Sequence, residues 1–235
     1  MALLYSLKKQ VLEANKQLEK YGLVTLTWGN VSGVDRDEGI MVIKPSGVSY
    51  SELKIEHMVV MNLKGEVLEG DLNPSSDTKT HLYLYNNFKN IGGITHTHSS
   101  WATSFAQAKL PIMALGTTHA DNFRGEIPCT RILTNEEILG NYEKETGKVI
   151  VETFNNINEN EVPGVLVANH GPFTWGKDAY QSVENSKVLE TIAEMAYRTY
   201  VLNGNIKGVN NVLIDKHYLR KHGKNSTYGQ KDDKF

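Results

Sequence analysis

The stretch Thr95-His96-Thr97-His98-Ser99 carries two imidazoles separated by one residue. On an extended strand such a pair lies on one face, because successive side chains alternate. A third imidazole, His170, follows directly on the apolar run Val165-Leu166-Val167-Ala168. A carboxylate, Asp77, closes Pro74-Ser75-Ser76-Asp77. Ends of strands are where α/β folds collect their functional residues. Three imidazoles and an acid make a ligand set for Zn²⁺ or another divalent ion of similar softness. If the four converge, the chain is a metal-dependent protein. Scattered, they are polar residues satisfied by neighbours or water.

A second group is chemically different. Pro45-Ser46-Gly47 and Pro74-Ser75-Ser76 are small, hydroxyl-bearing turns, preceded by Lys44 in the first case. Gly29 and Asn30 form another turn-like pair. Backbone N–H and hydroxyl donors on such turns can converge on one anion, with Lys44 as a point charge and a helix start after Asp77 close by. They are equally ordinary turn sequences. Beside a metal they would suit a phosphorylated substrate. In Thr117-Thr118-His119-Ala120-Asp121, the acid reads as a helix or turn cap, or else as a general acid/base. Trp28, Trp101 and Trp175 read as packing residues, and Cys129 as a core or near-core residue.

The positioning elements follow from periodicity. Leu4, Leu7, Val11, Ala14 and Leu18 predict an amphipathic helix that stops near Gly22. Short β-rich runs at 23–27, 40–44 and 57–61 predict strands separated by turns, and Lys64-Gly65 a hairpin into 66–69. Residues 77–88 read as a helix, 94–98 as a strand, and Ser99 or Ser100 as the cap of a helix ending before Pro111. A strand at 112–115 would deliver the Thr-Thr-His-Ala-Asp segment. Thr134-Asn135-Glu136-Glu137 is a capping-box sequence. Helices are expected around 149–154, from a cap at Asp178 to Leu202, and near 213–222. A strand at 165–168 is followed by a short extension at 173–175. This order predicts an α/β domain of three α/β/α layers around a central, largely antiparallel sheet.

Bulk properties narrow the class. The chain has 235 residues and a formal net charge of −2, so it fits one domain spanning 1–235 and lacks a global basic field for nucleic acid. One cysteine permits no internal disulfide and suits the cytoplasm. Nothing approaches the roughly 18 apolar residues of a membrane span, and the first residues lack the order of a signal peptide.

Taken together, Leu23-Val24-Thr25-Leu26-Thr27-Trp28-Gly29-Asn30, Ile43-Lys44-Pro45-Ser46-Gly47, Pro74-Ser75-Ser76-Asp77, His96-Thr97-His98, Gly116-Thr117-Thr118-His119-Ala120-Asp121, His170-Gly171-Pro172 and Asp215-Lys216-His217-Tyr218-Leu219-Arg220-Lys221-His222-Gly223 closely resemble the class II aldolase/epimerase family. The resemblance implies a homotetramer with active sites between subunits, and Zn²⁺ (or Mn²⁺ or Co²⁺) held by His96, His98, His170 and Asp77. It implies that Gly29, Asn30, Ser46, Gly47, Ser75 and Ser76, supported by Lys44, bind a phosphorylated ketopentose. Asp121 would be one acid/base and Tyr228, on a tail of about 223–235 reaching a neighbouring subunit, the other; His217 and Arg220 would assist. The implied reaction interconverts L-ribulose 5-phosphate and D-xylulose 5-phosphate. In the aldolase branch of the family, a Glu that acts as a base stands where this chain has Asp77.

Overall fold

The protein is described by a computed structural model covering residues 2–224 and 226. Tyr228 and nearly all of the tail therefore lie outside the described residues. The elements in chain order are α1 (Ala2–Lys20), β1 (Asn30–Asp35), β2 (Ile40–Ile43), β3 (Val59–Asn62), β4 (Val67–Glu69), α2 (Thr78–Asn87), β5 (Gly93–His96), α3 (Ser100–Ala108), α4 (Thr117–Ala120), α5 (Asn135–Leu139), α6 (Tyr142–Thr153), β6 (Gly164–Val167), β7 (Gly171–Gly176), α7 (Ala179–Leu202) and α8 (Asn211–His222).

The strands form one sheet in the order β4-β3-β2-β1-β5-β7-β6, and every pairing between them is antiparallel. Alternation along each strand sends side chains to two cores. Met41, Ile43, Val59, Met61, Ile94, Phe173 and Trp175 join the apolar residues of α2 and α6. Val31, Val42 and Val60 pack instead with Val11, Ala14 and Leu18 of α1 and with Ala179 and Val183 of α7. The sheet is thus the middle of three layers, as its sequence pattern predicts. Among the described residues no helix is long and apolar enough to cross a membrane.

Most expected elements are present. Gly22 has φ +66 and ends the first helix; Thr134 and Glu137 make the capping box of α5; the Asp178 carboxylate accepts from the Gln181 N–H at the start of α7. Two strands are placed differently. Residues 23–27 form no strand; Leu26 has φ +54 and Trp28 N–H donates to Thr25 O in a turn. The strand begins at Asn30, in a stretch too rich in small and polar residues to read as β-structure from composition. Its small residues have a reason, since a Cβ on Gly33 would meet Val11 and Leu7 of α1 at 2.9 and 3.0 Å. The segment at 112–115 makes only an isolated bridge, Ile112 to Ile127.

β5 lies against the start of α7 so closely that Gly93 has no room for a side chain. A Cβ there would sit 2.3 Å from the Asp178 carbonyl carbon and 2.4 Å from Ala179 N. Backbone cannot rotate aside as a side chain can, so Gly93→Ala should destabilise the fold by roughly 3 kcal/mol, at the upper end of overpacking costs. A denaturant midpoint unchanged from the parent protein would refute the close approach.

Candidate functional site

β1, β5 and β7 run side by side, with Asn30 opposite His96 and His96 opposite Phe173. This register places Asn30, Ser32, Ile94, His96 and Phe173 on the α2 side of the sheet. His96 ends β5, 1% exposed, its ring stacked on Phe173 at 4.1 Å. Its Nδ1 lies 2.9 Å from Pro172 O, an acceptor only, so that nitrogen carries the proton. Nε2 then presents a lone pair, and it is buried with no partner among the described residues. His98 follows two residues later, past the strand's end, where α3 begins. The first N–H groups of α3 are held not by Ser99 but by the Glu190 carboxylate, which accepts from Trp101 and Ala102.

His170 arrives from the other side. The β6–β7 connection is a tight turn in which His170 N–H donates to Val167 O and Asn169 takes φ +63. Asn tolerates this left-handed conformation better than most residues. The three rings meet with centroids 4.6 to 5.1 Å apart, and one ligand nitrogen from each lies within 4.8 Å of the others. Desolvation lowers the pKa of His98, and lowers that of His170 to about 3; neighbouring imidazoles add to both effects. The pair is therefore neutral and available as nitrogen donors at ordinary pH. A ring nitrogen buried without a partner among the described residues, in a triangle of imidazoles, fits a divalent cation of borderline softness.

Asp77 stands next to this triangle rather than within it. It occupies the N-cap position of α2, yet its carboxylate makes no capping bond. Oδ2 accepts instead from Asn30 Nδ2 at 2.7 Å. Burial favours its neutral form, but His96, His81 and His170, together with the Asn30 amide, outweigh that and hold it below the usual carboxylate range.

The anion-binding group converges on the same place. Gly29, Asn30, Lys44, Ser46, Gly47, Ser75, Ser76 and Asp77 line one cavity of about 460 Å³ with His96 and His98. Gly29 has φ +83, and a Cβ on it would lie 2.9 Å from His96 O. Pro45 and Pro74 bridge the two serine-bearing turns, and Ser75 N–H donates to Lys44 O. Lys44 is 2% exposed, and burial lowers its amine to about 8. Its Nζ donates to Pro45 O at 3.2 Å and sits 5.1 Å from the Tyr50 ring, with no carboxylate partner among the described residues. A buried cation so placed is suited to an external anion.

Asp121 is elsewhere. It closes α4 and is not among the residues lining this cavity. Its Oδ1 is 3.0 Å from His217 Nδ1 and accepts from Arg220 at 3.1 Å, which ties α4 to α8.

Sequence reasoning missed several groups. Trp28 is 53% exposed rather than packed, lining the cavity with its ring 6.2 Å from that of His98. Tyr142 brings its hydroxyl to 3.4 Å from His170 Nδ1. His81, Ser32 and Tyr85 form a buried polar chain behind Asp77. The four-residue spacing from Asp77 to His81 on a helix was the available signal, since it puts both on one face. Cys129 is half-buried, and burial pushes its thiol up to about 11, consistent with a packing role.

Residues 9–197 match the family described as Class II Aldolase and Adducin N-terminal domain, and the chain belongs to that family. Its members typically carry out metal-dependent aldol or epimerase chemistry on sugar phosphates. Among solved structures, an L-fuculose 1-phosphate aldolase superposes with a TM-score of 0.76 at 24% identity, covering 90% of this chain and 94% of that one. YgbL of Klebsiella pneumoniae, a putative aldolase/epimerase/decarboxylase, gives 0.73 at 21% identity, covering 91% and 98%. An L-fuculose-1-phosphate aldolase from Thermus thermophilus gives 0.66 at 20%, covering 89% and 100%. At these identities the likeness is one of fold.

Proposed function

We propose that the protein is a cytoplasmic L-ribulose-5-phosphate 4-epimerase, interconverting that sugar with D-xylulose 5-phosphate. The observation that carries the reading is a His triad, two of whose members, His96 and His98, line one cavity with a buried lysine and two serine-bearing turns. Zn²⁺ is the metal we assign, with Mn²⁺ or Co²⁺ able to substitute, and His96, His98 and His170 hold it with Asp77 as the further ligand. When bound, the ion supplies Lewis-acid stabilisation of the negative charge on an enediolate.

C4 of L-ribulose 5-phosphate carries no acidic proton, so direct deprotonation cannot invert it. A base takes the C4 hydroxyl proton instead, and the C3–C4 bond breaks, giving the enediolate of dihydroxyacetone and glycolaldehyde phosphate. Lys44, Ser46, Gly47, Ser75 and Ser76 retain the aldehyde through its phosphate, while Gly29 and Asn30 wall the site. The aldehyde rotates, offers its other face and is re-added; a proton donor on the opposite side completes the hydroxyl. Two proton-transfer groups are required, and we assign Asp121 and Tyr228. Since Asp121 is not on the wall of its own chain's cavity, a neighbouring copy in a homotetramer delivers it, and the tail delivers Tyr228. Holding both fragments in one cage makes recombination faster than escape.

Purified, Zn²⁺-loaded protein given L-ribulose 5-phosphate should accumulate D-xylulose 5-phosphate. Release of free glycolaldehyde phosphate without epimer would replace this reading by a lyase. The fold's similarity to an L-fuculose 1-phosphate aldolase favours that alternative as the second reading; release of dihydroxyacetone phosphate from L-fuculose 1-phosphate tests it directly. Lys44→Met should raise KM for the phosphorylated substrate ten- to a hundredfold, roughly the worth of one charge-assisted hydrogen bond, and change kcat less. An unchanged KM would remove Lys44 from anion binding.

A further inference from the structure

His81 is a buried titratable group to which the reaction above gives no task. It is 0% exposed and lies four residues after Asp77 on α2, with its backbone N–H donating to Asp77 O. Side chains four apart on a helix share a face, and each leans toward the preceding turn, which carries His81 over Asp77. His81 Nδ1 is 2.7 Å from Ser32 Oγ, and Ser32 Oγ is 2.8 Å from the Tyr85 hydroxyl. All three side chains are buried.

The direction of donation along this chain is constrained. If Tyr85 donates to Ser32 and Ser32 donates to His81 Nδ1, every hydroxyl proton has an acceptor and the imidazole proton resides on Nε2. The reverse order leaves the Tyr85 O–H without an acceptor among the described hydrogen bonds. It would also leave a bare Nε2 lone pair on a ring whose proton Asp77 favours. Nε2 is buried and has no partner among the described residues. The charged and titratable groups that act on His81 are Asp77, which favours a proton there, and His96. A buried N–H donor without an acceptor is costly unless some state of the protein supplies one.

We propose that His81 is a positioning residue for Asp77: its Nε2–H is the donor that holds the carboxylate in the orientation completing the His96–His98–His170 triangle. β1 then grips Asp77 twice from one face. Asn30 donates to Oδ2 directly, and Ser32, two residues along, meets His81 Nδ1 and so sets the tautomer whose Nε2–H would serve the other oxygen once the metal is bound. Donors of this kind behind a ligating carboxylate fix its orientation, and losing one costs about 10- to 100-fold in metal affinity or activity. The inference rests on the metal-dependent reading above.

Paired substitutions test it, because the Gln amide N reaches where His Nε2 was and the Asn amide N where Nδ1 was. Zn²⁺ affinity is measured by competition with a chromogenic chelator, alongside Tm of the metal-free protein and the kcat–KM split. His81→Asn should bind Zn²⁺ about 10- to 100-fold more weakly and lose kcat rather than KM. His81→Gln should stay close to the parent protein on both measures. Ser32→Ala, which frees the tautomer without touching His81, should weaken Zn²⁺ in the same direction. Parent-like affinity in His81→Asn overturns the proposal, as do equal losses in both variants that track a fall in Tm. If His81→Asn does not fold, Ser32→Ala decides by the same readout. A parent protein that takes up no Zn²⁺ would instead end the metal-dependent reading itself, a distinguishable result.

Discussion

His98→Ala should fold normally, fail to retain stoichiometric metal and turn over at least roughly a thousandfold more slowly, since Lewis-acid stabilisation is worth several kcal/mol. His98 is the informative position because it is exposed at the cavity, whereas His96 is stacked in the core on Phe173. Substitution at an exposed site costs within about 0.5 kcal/mol of stability, so loss of activity cannot be ascribed to unfolding. A ligand that binds only the folded state raises its stability by mass action. Chelation should therefore lower the Tm of the parent protein and leave that of His98→Ala unmoved, with far-UV circular dichroism unchanged in both. Full metal content in purified His98→Ala, by elemental analysis, would break the triad. Complete unfolding on chelation would mark the metal as structural rather than catalytic.

Asp121→Asn should lower kcat by about 10²- to 10⁴-fold, the usual worth of a positioned acid/base, with metal content intact. The amide oxygen still accepts from Arg220, so the link between α4 and α8 survives and Tm should change little. Parent-like turnover in this variant would remove Asp121 from the chemistry. Because Asp121 lies off its own chain's cavity, co-expression supplies a sharper readout. Asp121→Asn subunits keep the metal triad, and His98→Ala subunits keep the acid. Mixed oligomers should regain a measurable fraction of parental activity if sites are built across copies. No recovery in co-purified mixed oligomers would restrict Asp121 to its own chain or to structure alone.

The legibility of this protein varied with the kind of interaction concerned. Helices α1 and α7, the α5 capping box and the histidine cluster are all readable, because each rests on local periodicity, a local cap or an unusual concentration of one residue type. β1 is not. Its Asn30, Ser32 and Gly33 are polar or small for non-local reasons: Asn30 serves Asp77, Ser32 serves His81, and Gly33 makes room for α1. Trp28 departs from the packing expectation for a related reason, since residue type says what a side chain can bury and not which surface remains uncovered. The expectation that a helix starts at Asp77 is met in position, but its carboxylate leaves the cap to face Asn30.

By itself, the order of residues determined the donor chemistry: three imidazoles, one acid, a lysine and two serine-bearing turns, carried on segments whose periodicity dictates an α/β/α sandwich. Those are properties of side chains and of short-range backbone preference. Only the tertiary structure decided that Asn30, His96 and Phe173 stand in register across three strands, and that Asp77 sits beside the triangle with His81 behind it while Asp121 faces elsewhere. Those relations depend on strand register and layer packing, which sum weak contacts between residues far apart in the chain.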